Sequence, residues 1–445
     1  MSRFDKTLNY KRYIKYLLPS ILTMVIVSFY TTIDGFFVSH SSGGDLALAG
    51  INIAIPVLSL SYGFAVMFAT GAGAIISKKM GEGKKKEVNS IFSFITLVLL
   101  GLGIFFTVIG VIFLKPICYL LGSSDLLYQY VKPYTFMMIL GFIPISFKLY
   151  FDYLSRTDGN SKIALWMSFL GLILNVILDY IFVFVCDLGT LGAGLGTITS
   201  IGISALIGLI YFLFFSKIRF GKPKWDSKIL FKAMSNGSSE MLTELSTGIV
   251  TLLLNLTIFK YYGEAGVAAI TIIIYLYYFF IAFYTGMSAG AAPFVSYNLG
   301  AKKYDQIQKI IKYSFITINI LTVVIFTTSY GFGDFIIRMF AESEEVFEIT
   351  REGLNYFTIL FLFAGFNCFL SSYFTAVGDG FHSAVISILR TLIFVVIFIF
   401  ALQPILHEIG VWLCIPCSEL ATLFFSLYFF KKYGSVNKLI IIKQW

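Results

Sequence analysis

The sequence alternates between long apolar runs and short segments that carry most of its charge, and this alternation occurs twelve times. A helix needs about 20 apolar residues to cross the hydrocarbon core of a membrane, and every run is long enough to do so. The runs lie at residues 14–39, 47–77, 89–114, 132–155, 162–185, 190–215, 234–260, 266–296, 309–333, 352–376, 382–403 and 409–430. We therefore predict an all-α polytopic membrane protein with twelve transmembrane helices.

The composition excludes an ordinary soluble protein. Charged residues make up 13% of the 445 residues and apolar residues 58%, whereas soluble domains carry about 25% charged residues. The net charge is +9, but the basic residues are dispersed among short loops. A nucleic-acid-binding domain would gather them on one surface, so we expect no nucleic-acid partner.

The distribution of Lys and Arg predicts the orientation of the chain. If both termini are cytoplasmic, the inner segments hold 26 of the 33 basic residues and the outer segments hold five. Cytoplasmic loops of membrane proteins carry such an excess. The first residues lack the apolar core and cleavage site of a signal peptide, so we expect no cleaved leader.

The two halves of the sequence resemble each other at a constant offset of 219 residues. This offset aligns 47–53 with 266–272 and 69–85 with 288–304, and it places Gly81 on Gly300. Each half holds six spans, an even number, so both halves enter the membrane from the same side and form a parallel repeat. A duplicated bundle of this kind is most often a transporter with its site between or within the lobes.

This repeat predicts the domain organisation. The first lobe comprises residues 1–216, a cytoplasmic loop follows at 217–233, and the second lobe comprises residues 234–445.

A group of polar side chains lies inside predicted spans of the first half. Asn175 and Asp179 are four residues apart on the fifth span, so they share a helix face. Asp34 lies on the first span and Thr197 on the sixth. A charge at the centre of a span costs about 2.5–3.5 kcal/mol on insertion scales, so each acid needs a reason.

If these spans surround one cavity, the two carboxylates would repel each other, and one would readily take up a proton. A Na⁺ ion between the oxygen atoms is the other possibility, and the sequence leaves this choice open. The structural alternative is a buried hydrogen-bonded cluster without a role in transport.

The second half contributes weaker candidates for a substrate cavity. Glu240 and Glu244 lie four residues apart at the start of the seventh span, and Asn255 lies further along it. Tyr275 belongs to the aromatic stretch IIIYLYYFFIAFY on the eighth span, where some rings could face a cationic ligand.

Two more pairs of charged residues lie within spans. Lys148 and Asp152 are spaced for a local ion pair on the fourth span, and Arg390 could pair with Glu419 of the twelfth. The Gly-rich GAGLG at 192–196 lacks the strand and the acidic partner of a nucleotide-binding motif, and three isolated His give no metal site. We therefore expect no cofactor beyond a coupling ion.

Taken together, these stretches resemble the MATE family (multidrug and toxic compound extrusion), particularly its MepA-like and DinF-like bacterial branches. The resemblance rests on LLPSILTMVIVSFYTTIDGFFVSH, ALAGINIAIPVLSLSYGFAVMFATGAGAIISKKMGEGKKKE, SSEMLTELSTGIVTLLLN and GMSAGAAPFVSYNLGAKK. It implies two six-helix lobes around a V-shaped cavity, in a protein of the bacterial cytoplasmic membrane that works as a monomer. It also implies antiport of cationic, amphiphilic drugs against H⁺ or Na⁺.

The family's first-lobe cation site corresponds residue by residue to Asp34, Asn175, Asp179 and Thr197. The NorM-like branch has a second site with an acid on the tenth helix, and the predicted tenth span, 352–376, contains none. An ion site in the second lobe is therefore in doubt.

Two other functions remain as alternatives. A lipid-linked oligosaccharide flippase of the same superfamily would need a cavity rich in Lys and Arg for the diphosphate, but only Lys148 and Arg390 lie within spans. A lipid-modifying membrane enzyme would need a clustered catalytic constellation, which three scattered His do not provide. We expect a transporter and no enzyme.

Overall fold

The computed structural model describes residues 8–29, 33, 37, 44–341 and 343–434. Within these ranges all regular secondary structure is helical. Asn9 caps the first helix, because its side-chain oxygen accepts a hydrogen bond from the backbone N–H of Arg12 at 2.9 Å.

The helices of the first half follow the predicted spans in order. The described part of the first span is Tyr10–Ser28, and the second and third spans are Gly44–Gly81 and Lys85–Ile112. A short helix, Leu114–Leu120, precedes the fourth span, which consists of Asp125–Leu140 and Phe142–Thr157 bent by 48°. The fifth is Ser161–Asp179 continued by the π-helical turn Tyr180–Val185, and the sixth is Gly189–Ile210 continued by Tyr211–Phe215.

The second half repeats this order. Its first helix, Ser227–Gly300, contains the seventh and eighth spans, which are separated at Gly263 by a backbone φ of 57°. The ninth span is Tyr304–Arg338, and the tenth is Glu344–Phe357, Thr358–Leu360 and Phe361–Val377. The eleventh is Gly380–Ile388, the π-helical turn Leu389–Ile393 and Phe394–Leu406, and the twelfth is Glu408–Phe429 with Phe430–Gly434.

These helices confirm the prediction of an all-α, multi-pass membrane protein. By length and composition, nine described helices can cross a membrane, and the bent fourth span makes a tenth. Dividing the 74-residue helix at Gly263 gives an eleventh. The helix Tyr10–Ser28 is the described part of the remaining span.

The second and eighth spans cross closely at their carboxyl-terminal ends. A Cβ atom added at Gly81 would lie 2.0 Å from the carbonyl oxygen of Tyr297, and one added at Gly300 would lie 2.0 Å from the carbonyl oxygen of Lys78. The contact is reciprocal, because the offset of 219 residues relates Gly81 to Gly300 and Lys78 to Tyr297. Glycine lets the two backbones approach in this way.

Further along the second span, its contacts with the second half include the eighth span and also the seventh. Ser77 donates a hydrogen bond to the carbonyl oxygen of Pro293 at 2.9 Å. A Cβ atom on Gly71 would meet the carbonyl oxygen of Ala233 at 1.9 Å, and one on Gly237 would meet that of Met67 at 1.9 Å. At this end of the molecule the two halves are therefore packed backbone to backbone.

The first span packs against helices of both halves. Tyr13 and Leu17 belong to the hydrophobic core of the second half, and the hydroxyl of Tyr13 is 2.6 Å from that of Ser314 on the ninth span. Tyr16 donates to the carbonyl oxygen of Arg156 and accepts through its own carbonyl from Ser161 at 2.9 Å. The first span thus links the fourth and fifth spans to the second half.

Candidate functional site

Three of the four predicted cation-site residues lie together in the first half. Asn175 and Asp179 are fully buried, and Thr197 is nearly so. The amide nitrogen of Asn175 donates to Oδ2 of Asp179 at 3.1 Å and to the hydroxyl oxygen of Thr197 at 3.5 Å. The fourth residue, Asp34, lies outside the described residues. We call Asn175, Asp179 and Thr197 the first-lobe cluster.

The oxygen atoms of this cluster are of the types that bind a proton or a hard cation. Carboxylate, amide and hydroxyl oxygens are the ligands that hard cations prefer. Among the described residues, no group of three or more His, Cys, Asp and Glu could hold a metal ion.

Two glycines of the sixth span bring it close to the fifth. A Cβ atom on Gly196 would lie 2.1 Å from Oδ1 of Asp179, and one on Gly192 would lie 2.7 Å from the carbonyl oxygen of Phe182. The two glycines are four residues apart, so they share one helix face. In the sequence they form a G-x-x-x-G pattern in an apolar helix, which is a helix-packing signal. The GAGLG stretch is thus a packing element, and Gly196 is a site residue that sequence reasoning missed.

The backbone of the fifth span changes where the acid lies. The α-helix ends at Asp179, and the π-helical turn Tyr180–Val185 follows directly. Single π-helical turns within α-helices occur frequently at functional sites. The eleventh span, at the equivalent position in the order of the second half, also contains one, Leu389–Ile393.

A second polar cluster lies around this turn in the second half. Nε and Nη2 of Arg390 donate to Oε1 of Glu419 at 3.1 and 2.7 Å, which confirms the predicted pair. Asn367 donates to Oε2 of Glu419 at 2.7 Å and accepts from Ser426 at 2.8 Å. Nη1 of Arg390 is 3.0 Å from Sγ of Cys368. We call these five residues the second-lobe cluster.

A cavity of about 100 Å³ lies between the two halves. Eleven of its lining residues carry a hydroxyl group, and its charged side chains are Glu240 and Arg390. Tyr153 is the aromatic residue among the described ones that line it. Typical ligand pockets measure roughly 300–1,000 Å³, so this cavity is too small for a drug-sized molecule in the present arrangement.

The other predicted cavity residues fall into different places. Glu240 lines the cavity, whereas Glu244 lies one turn further and faces Gly63 of the second span, whose added Cβ would be 3.7 Å from that of Glu244. Asn255 is partly buried further along the same helix. Tyr275 is 41% exposed, and its ring centroid lies 6.5 Å from that of Phe340. Of these four residues, the structure brings Glu240 alone to the cavity wall.

The fourth span carries three buried charged residues at intervals of four, Lys148, Asp152 and Arg156. Nζ of Lys148 lies 3.9 Å from Oδ2 of Asp152, so the predicted pair is present at long range. The closer partner of Asp152 is Arg156, whose Nη2 lies 2.8 Å from Oδ1. Arg156 follows directly after the predicted span 132–155 and was therefore among the 26 basic residues expected in inner segments, but it lies in the helix Phe142–Thr157 and is fully buried.

The comparisons with known proteins agree with this arrangement. A family model described as MatE matches residues 19–181 and 241–400, which together make up more than half of the chain. The two matched segments fall in the two halves of the repeat.

Curated relatives match over most of their length. The multidrug export protein MepA of Staphylococcus aureus (strain MSSA476) is 24% identical over 394 residues, which cover 87% of this chain and 86% of the relative. MepA of Staphylococcus saprophyticus subsp. saprophyticus is 24% identical over 399 residues, covering 88% and 87%.

Solved structures share the fold. A crystal structure of MATE in complex with MaL6 superimposes with a TM-score of 0.91 at 20% identity, covering 97% of this chain and 98% of the other. The similarity extends over both six-helix halves, so it covers both clusters.

Proposed function

The chain belongs to the MATE family, and from that premise we propose that it is a secondary antiporter that exports cationic, amphiphilic compounds in exchange for H⁺ or Na⁺. The observation that carries the proposal is the first-lobe cluster. A carboxylate that accepts a hydrogen bond from the amide of Asn175 is buried there inside a membrane protein, where its charge is costly. A proton or a Na⁺ ion that binds and leaves would account for that cost.

The proposed mechanism uses the ion to shift the balance between two states. An ion can drive a conformational change only if it binds the two states with different affinity. Binding at Asp179, with Asp34 as the proposed second acid, would neutralise the first-lobe cluster and favour separation of the halves at the Gly81–Gly300 crossing. Export of the compound then follows from the alternation of these states.

The orientation of the chain gives this cycle its direction. We place both termini in the cytoplasm, because 26 of the 33 basic residues then lie in inner segments. The Gly81–Gly300 crossing is then the cytoplasmic end, and the packed arrangement is the state closed to the cytoplasm. We assign the protein to the bacterial cytoplasmic membrane as a monomer.

Glu240 is the proposed contact for the exported cation. It lines the cavity between the halves, and a half-buried carboxylate attracts a cation more strongly than one in water does. Glu244, Asn255 and Tyr275 lie off this wall, and a substrate reaches them only after the halves move. The one described cationic side chain on the wall, Arg390, is already bound to Glu419, which does not favour a diphosphate-binding flippase.

Reconstitution tests the proposal directly. Proteoliposomes containing the purified protein are given a pH gradient or a Na⁺ gradient separately, and the movement of a fluorescent cation is followed. We expect transport under at least one gradient, and we expect Asp179→Asn to abolish it. Glu345→Gln, at an exposed carboxylate, is the matched control and should transport like the unmodified protein. Full gradient-driven transport by Asp179→Asn would refute the assignment of the site.

A further inference from the structure

The ion pair of the second-lobe cluster lies on the two helices that correspond to those of the first-lobe cluster, while Asn367 and Cys368 lie on the tenth span. Asn175 and Asp179 lie on the fifth span and Thr197 on the sixth, while Arg390 lies on the eleventh and Glu419 on the twelfth. In the six-span repeat, the eleventh span corresponds to the fifth and the twelfth to the sixth. The fifth span has a π-helical turn directly after Asp179, and the eleventh span has one that contains Arg390.

The two clusters contain a similar carboxylate and amide, and the second-lobe cluster also contains a guanidinium group. Each has one buried carboxylate and one amide that donates to it, Asn175 to Asp179 and Asn367 to Glu419. In the second-lobe cluster, one oxygen of the carboxylate is taken by the guanidinium of Arg390. An arginine keeps its charge under all ordinary conditions.

We infer that Arg390 acts as a built-in cation of the second lobe. Its guanidinium permanently occupies, beside Glu419, the place that an exchangeable ion takes in the first lobe. The second lobe therefore neither binds nor releases a coupling ion. One consequence, that each cycle exchanges its ion through the first lobe alone, rests on the proposed function. The occupation of the second-lobe site by Arg390 does not depend on that proposed function.

The burial of the pair supports this inference. Glu419 is 1% exposed and Arg390 is 8% exposed, so both charges are largely removed from solvent. Removing one member of a buried ion pair leaves an uncompensated charge, which is strongly unfavourable. A carboxylate left in this way must take up a proton or a metal cation.

The surroundings of Glu419 define what else can influence such a site. The titratable groups within electrostatic reach are Arg390 on the eleventh span, Cys368 on the tenth and Tyr277 on the eighth. Glu240 on the seventh span acts on Arg390 from across the cavity. Arg390 is the one permanent cation in this group, so its removal exposes Glu419 to an external cation.

The experiment removes the built-in cation and tests whether a free one replaces it. Arg390→Gln is made in the Asp179→Asn background, so that the first-lobe cluster cannot respond. Thermal unfolding of the purified protein is followed against NaCl, with choline chloride at equal ionic strength, and against pH. We expect Arg390→Gln to be stabilised by a few degrees by Na⁺ or by acid, whereas the background protein shows no such response.

Two further variants locate the effect. Adding Glu419→Gln to Arg390→Gln should remove the response, because no carboxylate remains, and Arg390→Lys should behave like the background because it retains a tethered cation. The inference is overturned if Arg390→Gln is as insensitive as the background, or if its response survives Glu419→Gln.

Poor folding of the Arg390→Gln variant also decides the question. If Arg390→Gln is recovered only from high NaCl or acidic buffer, the inference is supported. If it is recovered under no condition, two other variants decide. Recovery of both Arg390→Lys and the variant that combines Arg390→Gln with Glu419→Gln supports the inference, and loss of either overturns it. Because the readout is stability in a background without Asp179, this result is independent of whether the protein exports drugs.

Discussion

The two lobes place a buried carboxylate on corresponding pairs of helices, but they surround it differently. Asp179 has the amide of Asn175 and, through it, the hydroxyl of Thr197, whereas Glu419 has an amide and a guanidinium. A carboxylate that accepts a hydrogen bond from a neutral amide can change its charge by binding an ion. One bound to an arginine cannot do so without breaking the pair. The same architecture thus supports an exchangeable site in one lobe and a fixed site in the other.

The largest predicted difference concerns the free energy of unfolding. Glu419→Gln leaves the buried guanidinium of Arg390 without its counter-ion, and we expect it to lower the free energy of unfolding by about 3–5 kcal/mol. Asp179→Asn replaces a carboxylate that accepts a hydrogen bond from the neutral amide of Asn175 and should cost about 1 kcal/mol. Denaturant unfolding in detergent measures both. Equal losses in the two variants would remove the distinction between the lobes.

The contact between the lobes should respond equally from either side. Gly81→Ala and Gly300→Ala each place a methyl group about 2 Å from a carbonyl oxygen of the facing helix, and overpacking of this kind costs about 1–3 kcal/mol. Both variants should therefore favour separated halves. In a protein lacking the five native cysteines, the labelling of Ser77→Cys by a water-soluble thiol reagent should rise in both.

Gly101→Ala is the control for this pair, because a Cβ atom there would meet nothing within 4 Å. A strong effect of Gly81→Ala with none of Gly300→Ala would contradict the reciprocal contact.

A methyl group on the sixth span should weaken the first-lobe cluster. In Gly196→Ala the new Cβ would lie 2.1 Å from Oδ1 of Asp179, so the carboxylate must leave its present position, in which Asn175 donates to it. We expect the ion concentration that half-saturates transport to rise about tenfold, equivalent to about 1.4 kcal/mol. Gly202→Ala, whose nearest atom would be 3.9 Å away, should leave it unchanged. An unchanged value in Gly196→Ala would show that the close approach has no part in ion binding.

The smallest effect concerns the loop after the second span. Glu82 lies between Lys79 at 3.4 Å and Lys84 at 3.1 Å, whereas the offset of 219 residues places Ala301 at the equivalent position of the second lobe. Burial opposes ionisation of Glu82, but hydrogen bonds and charge from Lys84 and Lys79 outweigh it and lower the pKa of its carboxyl.

Because the folded state has the lower pKa, Glu82 stabilises the loop at neutral pH, and this contribution is lost as the pH falls through that pKa. For an exposed pair the contribution is at most about 1 kcal/mol. Hydrogen exchange of residues 82–88 should therefore accelerate more on acidification than that of residues 301–307, and Glu82→Gln should remove the difference. Equal acceleration in both loops of the unmodified protein would contradict the role of Glu82.

The sequence was sufficient to predict the helices and their order. Apolar length determines whether a helix can span a membrane, and this property is local, so all twelve spans were identified. The pairing of Asn175 with Asp179 was also predictable, because residues four apart on a helix face the same way.

What the sequence could not supply was the rotation of each helix about its axis. Glu240 and Glu244 share one face, yet Glu240 lines the cavity and Glu244 faces Gly63, because the crossing with the second span sets their positions. Tyr275 lies in an aromatic stretch with no polar face, so nothing in its sequence indicated that its side chain would lie off the cavity wall with 41% of its surface exposed. The closer partner of Asp152, Arg156, was not predicted because it is the first residue beyond the predicted end of the span at residue 155 and was counted with the inner loop.

The reciprocal crossing of Gly81 and Gly300 has a consequence for the origin of the chain. A contact in which each side presents the same patch to the other is the kind that two identical subunits make about a two-fold axis. A gene that encoded one six-helix half could therefore have formed this interface as a homodimer. After duplication and fusion the interface was already in place, and the two copies were free to diverge in their buried charges.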